Sequence, residues 1–270
     1  MKQISVLALA LILLFACSAA DIALPAMVTL TVTAIPTAAA TPQPHLWRIM
    51  PMGDSLTEGD FPNGNHSYRG YLEVQLREAG YQFDFVGSQW KLAHSGTDYE
   101  HEGHGGFAIG PDESMASGWS ANLDSRLDYY LNKAKPDIIL LLIGINDMFP
   151  SVQHPVDPAQ ADEKLAGFVA RILEIEPGVH IFVASLAPVN FKWTDYQAEY
   201  EAVNRMAEQI GNADLQDRIY FVDMNRKLTS NLTSADFFDG VHFSESGARK
   251  VAQVWFEPLQ DSKILDLQSK

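Results

Sequence analysis

From Leu46 onward, short apolar runs alternate with stretches whose apolar residues recur at helical spacing. Ile138–Ile143 is a continuous apolar run behind Pro136, the pattern of a strand covered on both faces. Leu46–Met52, Phe83–Val86, Val179–Ala184 and Ile219–Val222 read as four more strands. Between them the period lengthens. Tyr71–Ala79 is helical and is stopped by Gly80, and Leu123–Ala134 carries Leu123, Leu127, Tyr130 and Leu131 on one face. Ala159–Ile175 repeats the pattern with Leu165, Phe168, Val169, Ile172 and Leu173. Tyr196, Tyr200, Val203, Ala207 and Ile210 mark a further helix, and Ser244–Phe256 a last one, expected to end before Pro258. Strands alternating with helices of this size predict one α/β domain, a three-layer α/β/α sandwich around a five-stranded parallel sheet.

Residues ahead of Leu46 follow a different pattern. Met1-Lys2 precedes an apolar run from Ile4 to Ala16, too short for an ordinary membrane span, so residues 1–20 are read as a signal peptide. Cys17, the only cysteine, follows Leu14-Phe15-Ala16 in an arrangement that resembles a bacterial lipobox, whose cysteine is acylated. The rival cut, after Ser18-Ala19-Ala20, would release a soluble protein. Residues 21–45 are rich in Ala, Thr and Pro and are read as a linker, leaving 46–270 as the folded domain. The expected address is therefore secreted or extracytoplasmic, with membrane attachment by lipid if Cys17 is acylated. With one cysteine, the domain is expected to stand on its hydrophobic core, without a disulfide or a cysteine-based metal site.

Charge narrows the partners. The formal net charge is -15, which argues against nucleic acid and against a polybasic membrane patch and favours a neutral substrate.

Two motifs far apart supply chemistry. Gly53-Asp54-Ser55-Leu56 follows the first strand, and Asp239-Gly240-Val241-His242 lies beyond the fifth. A serine hydroxyl is a poor nucleophile at neutral pH, so a histidine must take its proton, and a carboxylate holds that histidine in the right tautomer. Gly144-Ile145-Asn146-Asp147 follows the third strand. In open α/β sheets, sites form outside the carboxyl ends of the strands, which is where all three motifs fall. His101-Glu102-Gly103-His104, with His94 nearby, is not spaced as His-Glu-x-x-His, so no metal centre is predicted there. His104 is instead expected to line the cleft.

These blocks, with a glycine in the 103–106 region, resemble in order the SGNH, or GDSL, hydrolases, and they span nearly the whole domain. The resemblance implies the SGNH hydrolase fold and a serine esterase that works through an acyl-enzyme with no cofactor. It implies Ser55 as nucleophile, His242 as general base and acid, and Asp239 as the group orienting His242. It also implies an oxyanion hole built from the Ser55 N–H, the Gly106 N–H and the Asn146 side-chain amide. Gly106 is preferred to Gly103 and Gly105 because the family's glycine often precedes a bulky or polar residue, here Phe107. Asp54 and Asp147 are read as structural, capping turns or bonding backbone amides.

A narrower likeness covers mainly the first half of the domain. Ile49 to Ser55, Ser67-Tyr68-Arg69, Ala79-Gly80-Tyr81, Phe85 to Ser88 and Glu102-Gly103-His104 leading to Gly106-Phe107 look like carbohydrate esterase family 3. That family is associated with removing acetyl groups from xylan, which implies an acetylated polysaccharide as partner. Trp119, Phe149, Phe191 and Trp193 fall in or beside loops where aromatic faces would suit sugar rings. A lipid-type or aryl esterase of the same fold, and a surface carbohydrate-binding protein without turnover, are the alternative readings.

Overall fold

The computed structural model describes residues 45–267 except 60–66, 92–95, 111–120, 151–155, 193–194 and 214–217. The signal peptide, Cys17 and the linker up to Pro44 lie outside the described residues, as do His94, Trp119 and Trp193. The chain divides into Met1–Pro42 and Gln43–Lys270, and every described residue belongs to the second unit. No helix among the described residues is long and apolar enough to cross a membrane.

The chain runs β1 (Trp47–Gly53), α1 (Ser55–Glu58), α2 (Tyr68–Glu78), β2 (Phe83–Phe85), β3 (Gln89–Trp90), β4 (Glu100–Gly103) and α3 (Leu127–Ala134). It continues through β5 (Ile138–Leu142), α4 (Ala161–Ile175), β6 (His180–Ala184), α5 (Gln197–Gly211), β7 (Ile219–Val222), α6 (Met224–Thr229) and α7 (Glu245–Asp261). All five residues of β5 are buried, so both faces of the sheet are covered there, as its unbroken apolar run requires. Helices α2 and α7 pack as one pair, α4 and α5 as another.

The sheet order is β3-β4-β1-β5-β6-β7, with β2 also on β1. All five expected strands are present and mutually parallel; the expected strand number is corrected by β3 and β4. Trp47 to Ile49 of β1 pair with β2, and Met52–Gly53 pair with β4 on the remaining stretch. The sheet is mixed, because β3 runs antiparallel to β4. A period-2 or apolar signal could not have found β4, whose residues are Glu100-His101-Glu102-Gly103. It is stabilised instead by specific bonds. Buried Glu102 accepts the Ser88 N–H and Oγ–H, each at 2.6 Å, and His101 Nδ1 accepts the Gly103 N–H at 3.0 Å.

The last helix also departs from expectation: α7 runs through Pro258 to Asp261. Proline removes one ladder bond, a cost on the order of 3 kcal/mol in a helix interior. Here only three helical residues follow it, and Leu259 among them is fully buried, so core packing holds the last turn in place.

Candidate active site

The carboxyl ends of β1, β5, β6 and β7 line one edge of the sheet; the Ser55 and Asn146 motifs leave from it, and the Asp239–His242 loop, beyond α6, comes back to Ser55. Gly53 ends β1 against Leu142, so closely that a Cβ would sit 2.0 Å from the Leu142 carbonyl oxygen. The next residue, Asp54, caps α1 by accepting the Leu56 N–H at 2.9 Å. Ser55 is thereby the first residue of α1 and stands at the end of the sheet, with its side chain half-buried.

His242 reaches Ser55 from the far end of the chain. Its Nε2 lies 2.9 Å from Ser55 Oγ, and its Nδ1 lies 2.7 Å from Asp239 Oδ2. With Nδ1–H donating to the carboxylate, Nε2 is left to accept the serine proton. The other Asp239 oxygen accepts the Val241 and His242 N–H groups at 3.0 and 2.9 Å, so the short spacing closes on itself and fixes the ring. Burial alone would raise the Asp239 carboxyl. The bonds from the His242 backbone, the His242 ring and the Val241 backbone outweigh it and hold the carboxyl below its ordinary range. Asp239 therefore favours its ionised form beside the His242 ring.

The three expected oxyanion donors differ in what they already bond. The Ser55 N–H has no acceptor among the described residues, as expected at the first turn of a helix. Of the three candidate glycines, the Gly103 N–H is taken by His101 Nδ1 and the Gly105 N–H by Glu58 Oε2. Gly106 is the one whose N–H no described residue accepts. Its φ of 78° lies in the left-handed region that favours glycine. Asn146 donates one amide hydrogen of Nδ2 to the Phe107 carbonyl at 2.9 Å, leaving the second for a ligand. Asp147 ties the same two loops from below, its Oδ2 accepting the Ile109 N–H at 3.1 Å. Both aspartates thus occupy the structural positions expected of them.

His104 faces a different set of partners. Its Nε2 lies 2.6 Å from Glu102 Oε1, and its ring stacks on Phe107 and tilts against Tyr130. Its contacts are thus a β4 carboxylate and two aromatic rings. Beside His242 a cleft of about 250 Å³ is lined by Asn146, Phe149, Val241 and His242. A second cleft, of about 230 Å³, shares Phe149 and extends to Phe191, Lys192, Asp195 and Tyr196. The Phe149 and Phe191 rings meet edge-on with centroids 6.2 Å apart. The Phe191 loop is pinned to the histidine loop by the Asn190 N–H donating to the Gly240 carbonyl at 2.7 Å. Sequence reasoning missed Glu58, whose carboxylate meets Gly105 from 47 residues away and carries no motif of its own.

Residues 52–250 match the GDSL-like Lipase/Acylhydrolase family. The chain belongs to this family. Among solved structures it is 30% identical to a family 3 carbohydrate esterase of Clostridium thermocellum, at a TM-score of 0.64, covering 82% of this chain and 98% of that one. A family 3 carbohydrate esterase from Talaromyces cellulolyticus shares the fold at a TM-score of 0.62 and 22% identity, covering 83% of this chain and 100% of that one. The chain is also 27% identical over 229 residues, 79% of its length, to a multidomain esterase of Ruminococcus flavefaciens. It spans 28% of the length of that relative.

Proposed function

We propose that the chain is a serine carboxylic-ester hydrolase that removes acetyl groups from polysaccharide. The observation that carries this reading is the unbroken chain Ser55–His242–Asp239, at 2.9 and 2.7 Å, in a member of an acylhydrolase family. His242 Nε2 takes the Ser55 proton as Oγ adds to the ester carbonyl. The new oxyanion sits among the Ser55 N–H, the Gly106 N–H and the Asn146 amide, donors that act most strongly on charge developing in the transition state. As the tetrahedral intermediate collapses, the imidazolium gives its proton to the departing alcohol and leaves acetyl-Ser55. Water, deprotonated by His242, then releases acetate and restores the hydroxyl.

The alcohol must leave within reach of His242 Nε2, so the groove formed by the cleft at His242 and the adjoining cleft that shares Phe149 receives the sugar. Phe149, Phe191 and Tyr196 supply aromatic faces along it, and Lys192 and Asp195 supply polar groups for hydroxyls. The likeness to the family 3 carbohydrate esterase of C. thermocellum supports the same choice. The N-terminal apolar run and Cys17 support an extracytoplasmic address, with Cys17 as the candidate lipid anchor. The test is hydrolysis of acetylated xylan beside esters of short and long acyl chains. Higher kcat/KM on acetylated xylan and on acetyl esters is expected, whereas preference for long acyl chains would overturn the polysaccharide assignment.

A further inference from the structure

Helix α1 is four residues long, yet it touches the site at both ends. Ser55 is its first residue and Glu58 its last. The Glu58 carboxylate crosses to the glycine loop, where Oε2 accepts the Gly105 N–H at 2.6 Å; its Oε1 lies 3.6 Å from Lys91 Nζ. A Cβ on Gly105 would come 2.7 Å from that same Oε2. A side chain there would push the flexible end of Glu58 aside.

Backbone bonds anchor the loop on either side of the two glycines, with the Asn146 amide on the Phe107 carbonyl and the His104 ring on Glu102 beside them. His104 N–H donates to the Gly53 carbonyl at 2.9 Å, and Phe107 N–H closes back on the His104 carbonyl at 3.2 Å. Between these anchors lies the Gly105–Gly106 peptide, two glycines in a row with the freedom that implies. The Glu58 bond, made to the Gly105 N–H of the peptide just before it, is the one side-chain hydrogen bond to either glycine among the described residues. The helix delivering it is itself held firmly. Asp54 caps its start, and at its end the buried Arg69 donates from Nε to the Thr57 carbonyl at 2.9 Å and from Nη2 to the Glu58 carbonyl at 3.2 Å.

We propose that Glu58 is a positioning residue for the oxyanion hole: by holding the Gly105 N–H from the helix that bears the nucleophile, it fixes the Gly106 N–H relative to Ser55. The inference rests on the ester-hydrolase reading above. A bond from a backbone N–H to a carboxylate is roughly twice as strong as a neutral one, so it suits this restraint. An oxyanion donor is effective because it needs no reorganisation when charge develops, and a loosened glycine pair would have to reorganise. Glu58 acts through Gly105 and touches no reacting atom. Its loss should therefore weaken the transition state more than substrate binding, lowering kcat while leaving KM in place.

Glu58→Ala, Glu58→Gln and Lys91→Ala, each checked for an intact melting transition, separate this role from that of an ion pair. On a small acetyl ester, Glu58→Ala is expected to lose on the order of 10–100-fold in kcat, with KM within about twofold. Glu58→Gln keeps an acceptor oxygen for Gly105 and is expected within about threefold of the wild type. Lys91→Ala removes the ion pair but leaves the clamp, and should match the wild type. An unchanged kcat in Glu58→Ala overturns the proposal, as does an equal loss in both Glu58 variants or in Lys91→Ala. The amide resonances of Gly105 and Gly106 give a readout independent of turnover. Both should move in Glu58→Ala and hold in Lys91→Ala, and resonances unmoved by Glu58→Ala would refute the clamp. A wild type without Ser55-dependent ester cleavage would sink the hydrolase reading, and the Gly105 and Gly106 resonances would still decide whether Glu58 sets the loop.

Discussion

Asp54 stands immediately before Ser55 and is fully enclosed. Burial pushes its carboxyl up to about 7, and the neighbouring charge of Asp147 adds to the rise. One oxygen accepts the Leu56 N–H, while Oδ2 has no partner among the described residues. The folded state thus binds this proton more tightly than the unfolded chain, where the group titrates near 4. The stability it contributes is fully present below about pH 4 and is lost as pH rises through about 7, a change of roughly 4 kcal/mol. Asp54→Asn keeps an acceptor for Leu56 and removes the titration. It should flatten the dependence of Tm on pH between 4 and 7 and raise Tm at pH 8; a Tm profile parallel to the wild type would contradict this. At this scale the sequence was informative about identity and silent about partners. Ser55, Asn146, Asp239 and His242 stand in recognisable spacings, whereas the burial of Asp54 and the reach of Glu58 depend on residues distant in the chain.

The histidine loop is a small element with its own support. Phe237 and Phe243 pair as an isolated antiparallel bridge, and the Phe238 N–H donates to the His242 carbonyl at 2.7 Å. Asp236, just ahead of it, is buried and receives Lys250 Nζ at 2.8 Å, Ser246 Oγ at 2.7 Å and the Thr233 N–H at 2.7 Å. These bonds tie the loop to α7. Asp236→Ala would leave them unmet, at a cost of about 2–3 kcal/mol. That is below the 3–5 kcal/mol typical of a fully buried pair, because the Lys250 side chain is 38% exposed. Denaturant unfolding should register that loss, together with a lower kcat as His242 loosens; an unchanged midpoint would refute the anchoring role. Elements written as apolar runs were readable in advance. β4, α1 and the turn of α7 beyond Pro258 were not, because hydrogen bonds and packing from other parts of the chain specify them rather than local pattern.

The molecule as a whole is strongly acidic, with 34 Asp and Glu against 19 Lys and Arg. Like charges repel over roughly 8 Å at physiological salt, and added salt screens that repulsion. Activity on a neutral acetylated glycan should therefore be insensitive to ionic strength, whereas kcat/KM on an acetylated polyanion should rise with salt. A flat response for both polymers would show that net charge does not reach the cleft. Architecture was legible at this scale because alternating strands and helices leave few topologies, and the motifs fall at the one edge where such sheets build sites. The most direct test of the central claim is acetate release from acetylated xylan as Ser55 is titrated with a fluorophosphonate. Release should fall in proportion to labelled Ser55, reach zero at one label per chain, and be absent in Ser55→Ala. Release that persists with Ser55 fully labelled would contradict the account.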